Sequence, residues 1–203
     1  MIGNKKVGII GGTFNPIHMG HLILAERAWN EMGLDEILFI PTGISYFKDP
    51  NTVLDKKTRV ALTGDAIGDN PHFALSTIEV DRPGNSYTYE TLEELKKENP
   101  SNTYYLIVGA DTLFQIESWK NPDIIMKDCI ILAAVRKGQS LDELNVKREE
   151  LEKKYDAHIS ILSMPYVDIS STDIRERIAA GKSIRYMVKD VTLEYIEKHG
   201  LYR

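Results

Sequence analysis

Short apolar runs alternate with longer amphipathic stretches along the whole chain. Residues 6–10, rich in β-branched side chains, predict a buried strand. Behind them Leu22, Leu24, Ala25, Ala28, Trp29 and Met32 recur at helical spacing until Gly33, a natural stop just past a helix end. Residues 35–40 predict a second strand ended by Pro41, and Asp55 an N-cap for a helix running to about Ile67. Residues 73–75 and 77–80 suggest a broken third strand, closed by the turn Asp81-Arg82-Pro83-Gly84-Asn85. A helix is expected over 88–97, stopped at Asn99-Pro100, then a strand over 103–108 and a short helical stretch after Gly109-Ala110-Asp111. Residues 129–135 form a continuous apolar strand. Residues 142–155 are helical by periodicity, with Leu141, Leu144 and Leu151 inward and the charges on a solvated face. A last strand over 159–162 precedes two closing helices with Gly181 between them.

Strands alternating with helices imply an α/β fold, a Rossmann-like parallel sheet with helices on both faces. No repeat or linker divides the 203 residues, so one domain over 1–203 is expected, its C-terminal helical part (about 169–203) packing on the sheet. Ligands in such sheets bind beyond the carboxyl ends of the strands. The segments after the first and fourth strands, and Ser171, can therefore share a cleft.

Composition narrows this picture. Hydrophobic residues make up 42% and charged residues 27%, ordinary for a packed globular chain. No apolar run has transmembrane length and no signal-like start is present, so no membrane partner is expected. The single cysteine, Cys129, excludes an intrachain disulfide, fits a cytoplasmic setting and sits in an apolar run, as a buried structural thiol would. A net charge of -5 argues against a nucleic-acid surface, so a nucleotide site must gather positive charge locally.

The chemistry is concentrated in Gly11-Gly12-Thr13-Phe14-Asn15-Pro16-Ile17-His18-Met19-Gly20-His21. A strand passes through a glycine pair into a helix carrying His18 and His21 on one face. At such a junction free backbone N–H groups and the helix dipole favour an anion. Gly11 and Gly12 let a ligand approach the backbone, and the imidazoles add donors. Rival motifs fail. The glycines do not follow Gly-x-Gly-x-x-Gly, and Gly181-Lys182-Ser183 has Glu176 where a P-loop needs glycine. No cysteine or carboxylate completes a zinc set around the histidines. Near the end, Ser171 and Thr172 open a helix carrying Arg175, either as an N-cap at Ser171 or as a second anion cradle.

Gly-Gly-Thr-Phe-Asn-Pro-Ile-His-x-Gly-His, paired with Ile169-Ser170-Ser171-Thr172-Asp173-Ile174-Arg175, resembles the two signatures of the HxGH nucleotidyltransferases. These adenylyl- and cytidylyltransferases have the HUP-type fold and are related to class I tRNA synthetases. Within them the chain is similar, nearly end to end, to the bacterial nicotinate-nucleotide adenylyltransferases. Ser86-Tyr87-Thr88-Tyr89-Glu90-Thr91-Leu92, Gly109-Ala110-Asp111-Thr112-Leu113 with Trp119, and the tail from Gly181 to Tyr202 carry that likeness. The resemblance implies adenylyl transfer from ATP to nicotinate mononucleotide with release of pyrophosphate, in NAD biosynthesis. It implies His18, His21 and Arg175 as catalytic donors. Gly11, Gly12, Thr13, Phe14, Arg136, Ser171 and Thr172 would join them around ATP. Trp119 would stack on the pyridine ring, and backbone amides near Thr88 and Lys120 would hold its carboxylate. Asp111 would lie near ribose hydroxyls and Lys48 near the acceptor phosphate. Mg²⁺ would come with ATP, with no protein ligand assigned.

Two departures stand out. Ile44-Ser45-Tyr46-Phe47-Lys48-Asp49-Pro50 replaces the family's Pro-Pro-His-Lys, and Asn15 stands where many relatives carry aspartate. Phosphopantetheine or nicotinamide mononucleotide remain as other acceptors, and a nucleotide-binding sensor without turnover as another class. A homo-oligomer is left open.

Overall fold

The computed structural model describes residues 4–45, 52–136, 141–165 and 167–203. Six strands form one sheet: β1 (Lys6–Gly12), β2 (Glu36–Pro41), β3 (Phe73–Leu75), β4 (Thr103–Gly109), β5 (Ile130–Arg136) and β6 (His158–Met164). Their order is β3-β2-β1-β4-β5-β6 and every pairing is parallel. The order reverses direction between β1 and β4, which opens a crevice beyond the carboxyl ends of those two strands.

Side-chain alternation explains why both faces are covered. From β1, Val7 and Ile9 enter one core while Ile10 enters the other. Tyr104, Leu106 and Val108 of β4 divide from Tyr105 and Ile107 in the same way. The first core is closed by α4 (Thr88–Glu98), α5 (Ala110–Gln115), α6 (Pro122–Asp128) and α7 (Leu141–Tyr155). The second is closed by α1 (Met19–Met32) and α2 (Lys56–Ile67). Cys129 lies buried in the first core, its thiol donating to the Ile125 carbonyl, and burial pushes its pKa up to about 12.

Beyond the sheet, α8 (Ser171–Ala179) and α9 (Asp190–His199) share a small core of Ile174, Ile184, Val188, Leu193 and Ile196. The α9 helix packs on α2, and the Met19 amide bonds the Met187 carbonyl at 2.8 Å. These helices are thereby fixed against the start of α1.

Four expectations need correction, the first being Leu141: expected inward, it opens α7 and is 54% exposed. Residues 77–80 are not strand: Ile78–Asp81 is a short helix, α3, and Thr77 precedes it. The β-branched run gave the strand pattern, but tertiary context decided the conformation. His18 is the N-cap of α1 rather than a helical residue, and Ser170, not Ser171, caps α8 by accepting from the Asp173 amide.

Ile131, the second residue of β5, is fully buried. Ile131→Ala should destabilise the fold by about 2–5 kcal/mol, measured as a lower urea midpoint at unchanged m-value.

Candidate active site

The turn after β1 is gripped by its carbonyls. Gly12 O accepts from the Thr42 amide at 2.8 Å, and Thr13 O from Arg59 Nη1 at 2.8 Å. Asn15 O accepts from Arg175 Nη1 at 2.8 Å, and Pro16 O from Ser171 Oγ at 2.9 Å. In a trans peptide the C=O and the following N–H point in opposite directions. Donors held on the Thr13 and Pro16 carbonyls therefore turn the Phe14 and Ile17 amides to the other side of the chain. The turn is held as an array of amides by side chains from α2 and α8.

Arg59 was invisible as a site residue in the sequence, where Lys56-Lys57-Thr58-Arg59 resembles a solvated helix start. It is 2% exposed. Its guanidinium is spent on Leu54 O, Thr13 O and Gly43 O, which ties the segments after β1 and β2 together. Burial lowers its pKa, and the Asp55 carboxylate opposes that shift.

The two histidines meet at the N-terminus of α1. Their rings stack with centroids 3.7 Å apart, and Phe14 presents its edge to His21 at 5.0 Å. The His18 amide donates to His21 Nδ1 at 3.2 Å. A neutral imidazole that accepts at Nδ1 carries its proton at Nε2, so His21 is set as an Nε2–H donor. Gly20 makes room for the stack: a Cβ there would lie 3.0 Å from the His18 ring. Phe14 holds a positive φ of 47°, a conformation side chains rarely adopt, and its ring is buried.

Two neighbouring cavities flank this junction. One, of about 400 Å³, is lined by Gly11, His18, His21, Thr112, Ser170 and Ser171. The other, of about 250 Å³, is lined by Gly11, Gly12, Thr13, Glu79, Tyr87, Thr88 and Lys120. Gly11, Ile107, Val108 and Trp119 line both, so the cavities meet at the reversal point of the sheet. The second cavity receives the start of α4, where Tyr87 provides no side-chain cap.

The expected residues are thus mostly gathered, in unequal roles. Gly11, Gly12, Thr13, His18, His21, Ser171, Thr88, Trp119 and Lys120 line the joined cleft. Phe14, Thr172 and Arg175 stand behind it; besides Asn15 O, Arg175 donates through Nη2 to Thr172 Oγ1 at 3.2 Å. Asp111 is exposed in the first turn of α5, next to the lining Thr112. Lys48, with Tyr46 and Phe47 of the departing segment, lies outside the described residues, as does the side chain of Arg136. Among the described residues no three His, Cys, Asp or Glu side chains converge to hold a metal. No helix there is long and apolar enough to cross a membrane.

Residues 9–177 match the cytidylyltransferase-like family. A protein of Lachnoclostridium phytofermentans, named "Probable nicotinate-nucleotide adenylyltransferase", is 43% identical over 198 residues, covering 98% of this chain and 99% of its own. A Clostridium tetani protein of the same name is 41% identical over 199 residues, covering 98% and 100%. Among solved structures, Plasmodium falciparum nicotinic acid mononucleotide adenylyltransferase complexed with NaAD superposes with a TM-score of 0.81 at 21% identity, over 98% of both chains. At that identity the likeness is one of fold.

Arg59→Lys keeps the charge but loses the fork that reaches three carbonyls. It should lower stability by about 1–3 kcal/mol, read as a lower urea midpoint.

Proposed function

The chain belongs to the cytidylyltransferase-like family, among its nicotinate-nucleotide adenylyltransferases, and from that premise we propose that it moves the adenylyl group of ATP onto nicotinate mononucleotide. A phosphate oxygen of the acceptor attacks the α-phosphorus in line as the bond to the β-phosphate oxygen breaks. Pyrophosphate leaves, and nicotinate adenine dinucleotide is formed. No enzyme nucleophile is needed, so the protein contributes position and charge stabilisation.

One observation supports this most: the histidine-lined and Thr88-lined cavities meet at Gly11 and Trp119. A triphosphate in the first and an acceptor in the second bring the reacting groups to that shared wall. His21 Nε2–H and the amides of the turn after β1 are the donors to the phosphates, with His18 stacked behind. Arg175 acts from the side, holding Asn15 O and Thr172 Oγ1 while its other N–H groups remain for phosphate. Mg²⁺ suits this site as an ion carried on phosphate oxygens, because the lining of the first cavity includes donors and no carboxylate.

The acceptor's acid group follows from donor chemistry. A pyridine carboxylate only accepts hydrogen bonds, matching backbone amides near Thr88 and Lys120, with Trp119 under the ring. A carboxamide NH₂ would set donor against donor, and each buried donor left unpaired costs about 1–3 kcal/mol. A reducing, cytoplasmic setting suits the free thiol of Cys129.

Pyrophosphate release from MgATP, with nicotinate mononucleotide, nicotinamide mononucleotide or phosphopantetheine offered in parallel, tests the reading. Turnover is expected chiefly with the acid nucleotide. Preference for another acceptor would overturn the acceptor assignment, and silence with all three despite ATP binding would indicate a sensor. His21→Ala should reduce kcat about a hundredfold, about 3 kcal/mol of transition-state stabilisation.

A further inference from the structure

Glu79 is a carboxylate in a place where carboxylates are costly. It is 8% exposed on α3, lines the smaller cavity and has no role in the chemistry described above. Among the described residues, the carboxyl group meets hydroxyls and no ion-pair partner in contact. Thr91 Oγ1 of α4 donates to Glu79 Oε1 at 3.0 Å, and the nearby Ser86 hydroxyl favours the ionised carboxyl group. Each hydroxyl is itself anchored: Arg82 Nη2 donates to Thr91 Oγ1 at 2.7 Å, and the Gly43 amide donates to Ser86 Oγ at 2.9 Å.

The connections converge on one wall. The Ser86 amide bonds Ile44 O at 3.0 Å, and Ile44 bridges Asn85. Gly43 presses so closely on the backbone of Glu79 that a Cβ would lie 2.1 Å from its carbonyl oxygen. Glu79 thus joins three pieces of chain: the segment after β2, its own short helix, and the start of α4 beside Thr88. None of Glu79, Ser86 and Thr91 lines the histidine cavity.

We propose that Glu79 is a positioning residue for the acceptor, setting the wall formed by Ser86 and the first turn of α4, with Gly43 packed against Glu79 behind it. This rests on the adenylyl-transfer reading, under which the smaller cavity takes the pyridine nucleotide. Because Ser86 and Thr91 line that cavity and not the histidine cavity, its loss acts on acceptor binding more than on the ATP side. A glutamine serves in its place, since the amide oxygen accepts from Thr91 and the NH₂ donates to Ser86.

The test compares wild type, Glu79→Ala, Glu79→Gln and Ser86→Ala in pyrophosphate release, below the unfolding temperature of each. Glu79→Ala should raise KM for nicotinate mononucleotide at least tenfold, with KM for MgATP and kcat within about twofold. Glu79→Gln should stay within about threefold of wild type in all three. Ser86→Ala disturbs the core less, and should raise the acceptor KM severalfold with the same split, which decides the matter if the alanine at 79 does not fold. Unchanged acceptor KM in folded Glu79→Ala, or in Ser86→Ala where that variant does not fold, overturns the role. So does KM for MgATP rising in step, or a glutamine variant as impaired as the alanine. Wild-type silence with this acceptor overturns the activity and the inference together; wild-type turnover with an unmoved variant overturns the inference alone.

Discussion

Everything at this site depends on which end of each peptide in the turn after β1 is taken from behind. A polypeptide offers equal numbers of donors and acceptors, so a loop can bind an anion only if its carbonyls are engaged elsewhere. Here the Gly12, Thr13, Asn15 and Pro16 carbonyls each accept a bond from another element. Two of those donors are guanidinium groups, on Arg59 and Arg175. The positive charge therefore sits behind the turn, where it both orders the peptides and raises the potential in front of them.

The same grip explains how distant parts of the chain become one site. Asn15 is 2% exposed and hydrogen-bonded at both ends of its side-chain amide. Its Nδ2 donates to Thr52 O, and its Oδ1 accepts from the Leu54 amide and from the Tyr202 hydroxyl. An amide serves both kinds of partner at once, whereas an ionised carboxylate would meet Thr52 O with a second acceptor. Burial raises the pKa of Tyr202, which keeps its hydroxyl a donor. Residues 187 positions apart are thus in direct contact, and the α8–α9 helices are fastened to the turn they help to order.

What the sequence revealed follows from the range of the interactions involved. The parallel sheet was legible because each strand carries its own apolar run and each helix its own period. The two signatures were legible because their residues are local. Arg59 was not, since its meaning lies in carbonyls from other segments and its neighbours resemble a solvated helix start. Asn15 was visible in the motif, but its partner Tyr202 lay at the far end of the chain. The helix over Ile78–Asp81 was missed for a related reason: its conformation is set by the contact of Glu79 with Gly43, Ser86 and Thr91. The cap at Ser170 was misplaced by one residue, within the ordinary uncertainty of helix ends.

A chain of net charge -5 that is to bind two phosphate-bearing molecules cannot rely on a basic surface. Surface cations would be screened by salt and would attract polyanions indiscriminately. Placing Arg59 inside the protein avoids both effects, at the cost of burying a charge that meets no carboxylate in contact among the described residues. That cost is offset by three carbonyl acceptors, one of which, Thr13 O, belongs to the turn whose amides must face the cleft. The buried cation and the outward amides are linked, because one of the bonds that make Arg59 tolerable, that to Thr13 O, also turns the Phe14 amide outward. Removing the guanidinium would therefore loosen the turn and strip its field in the same step.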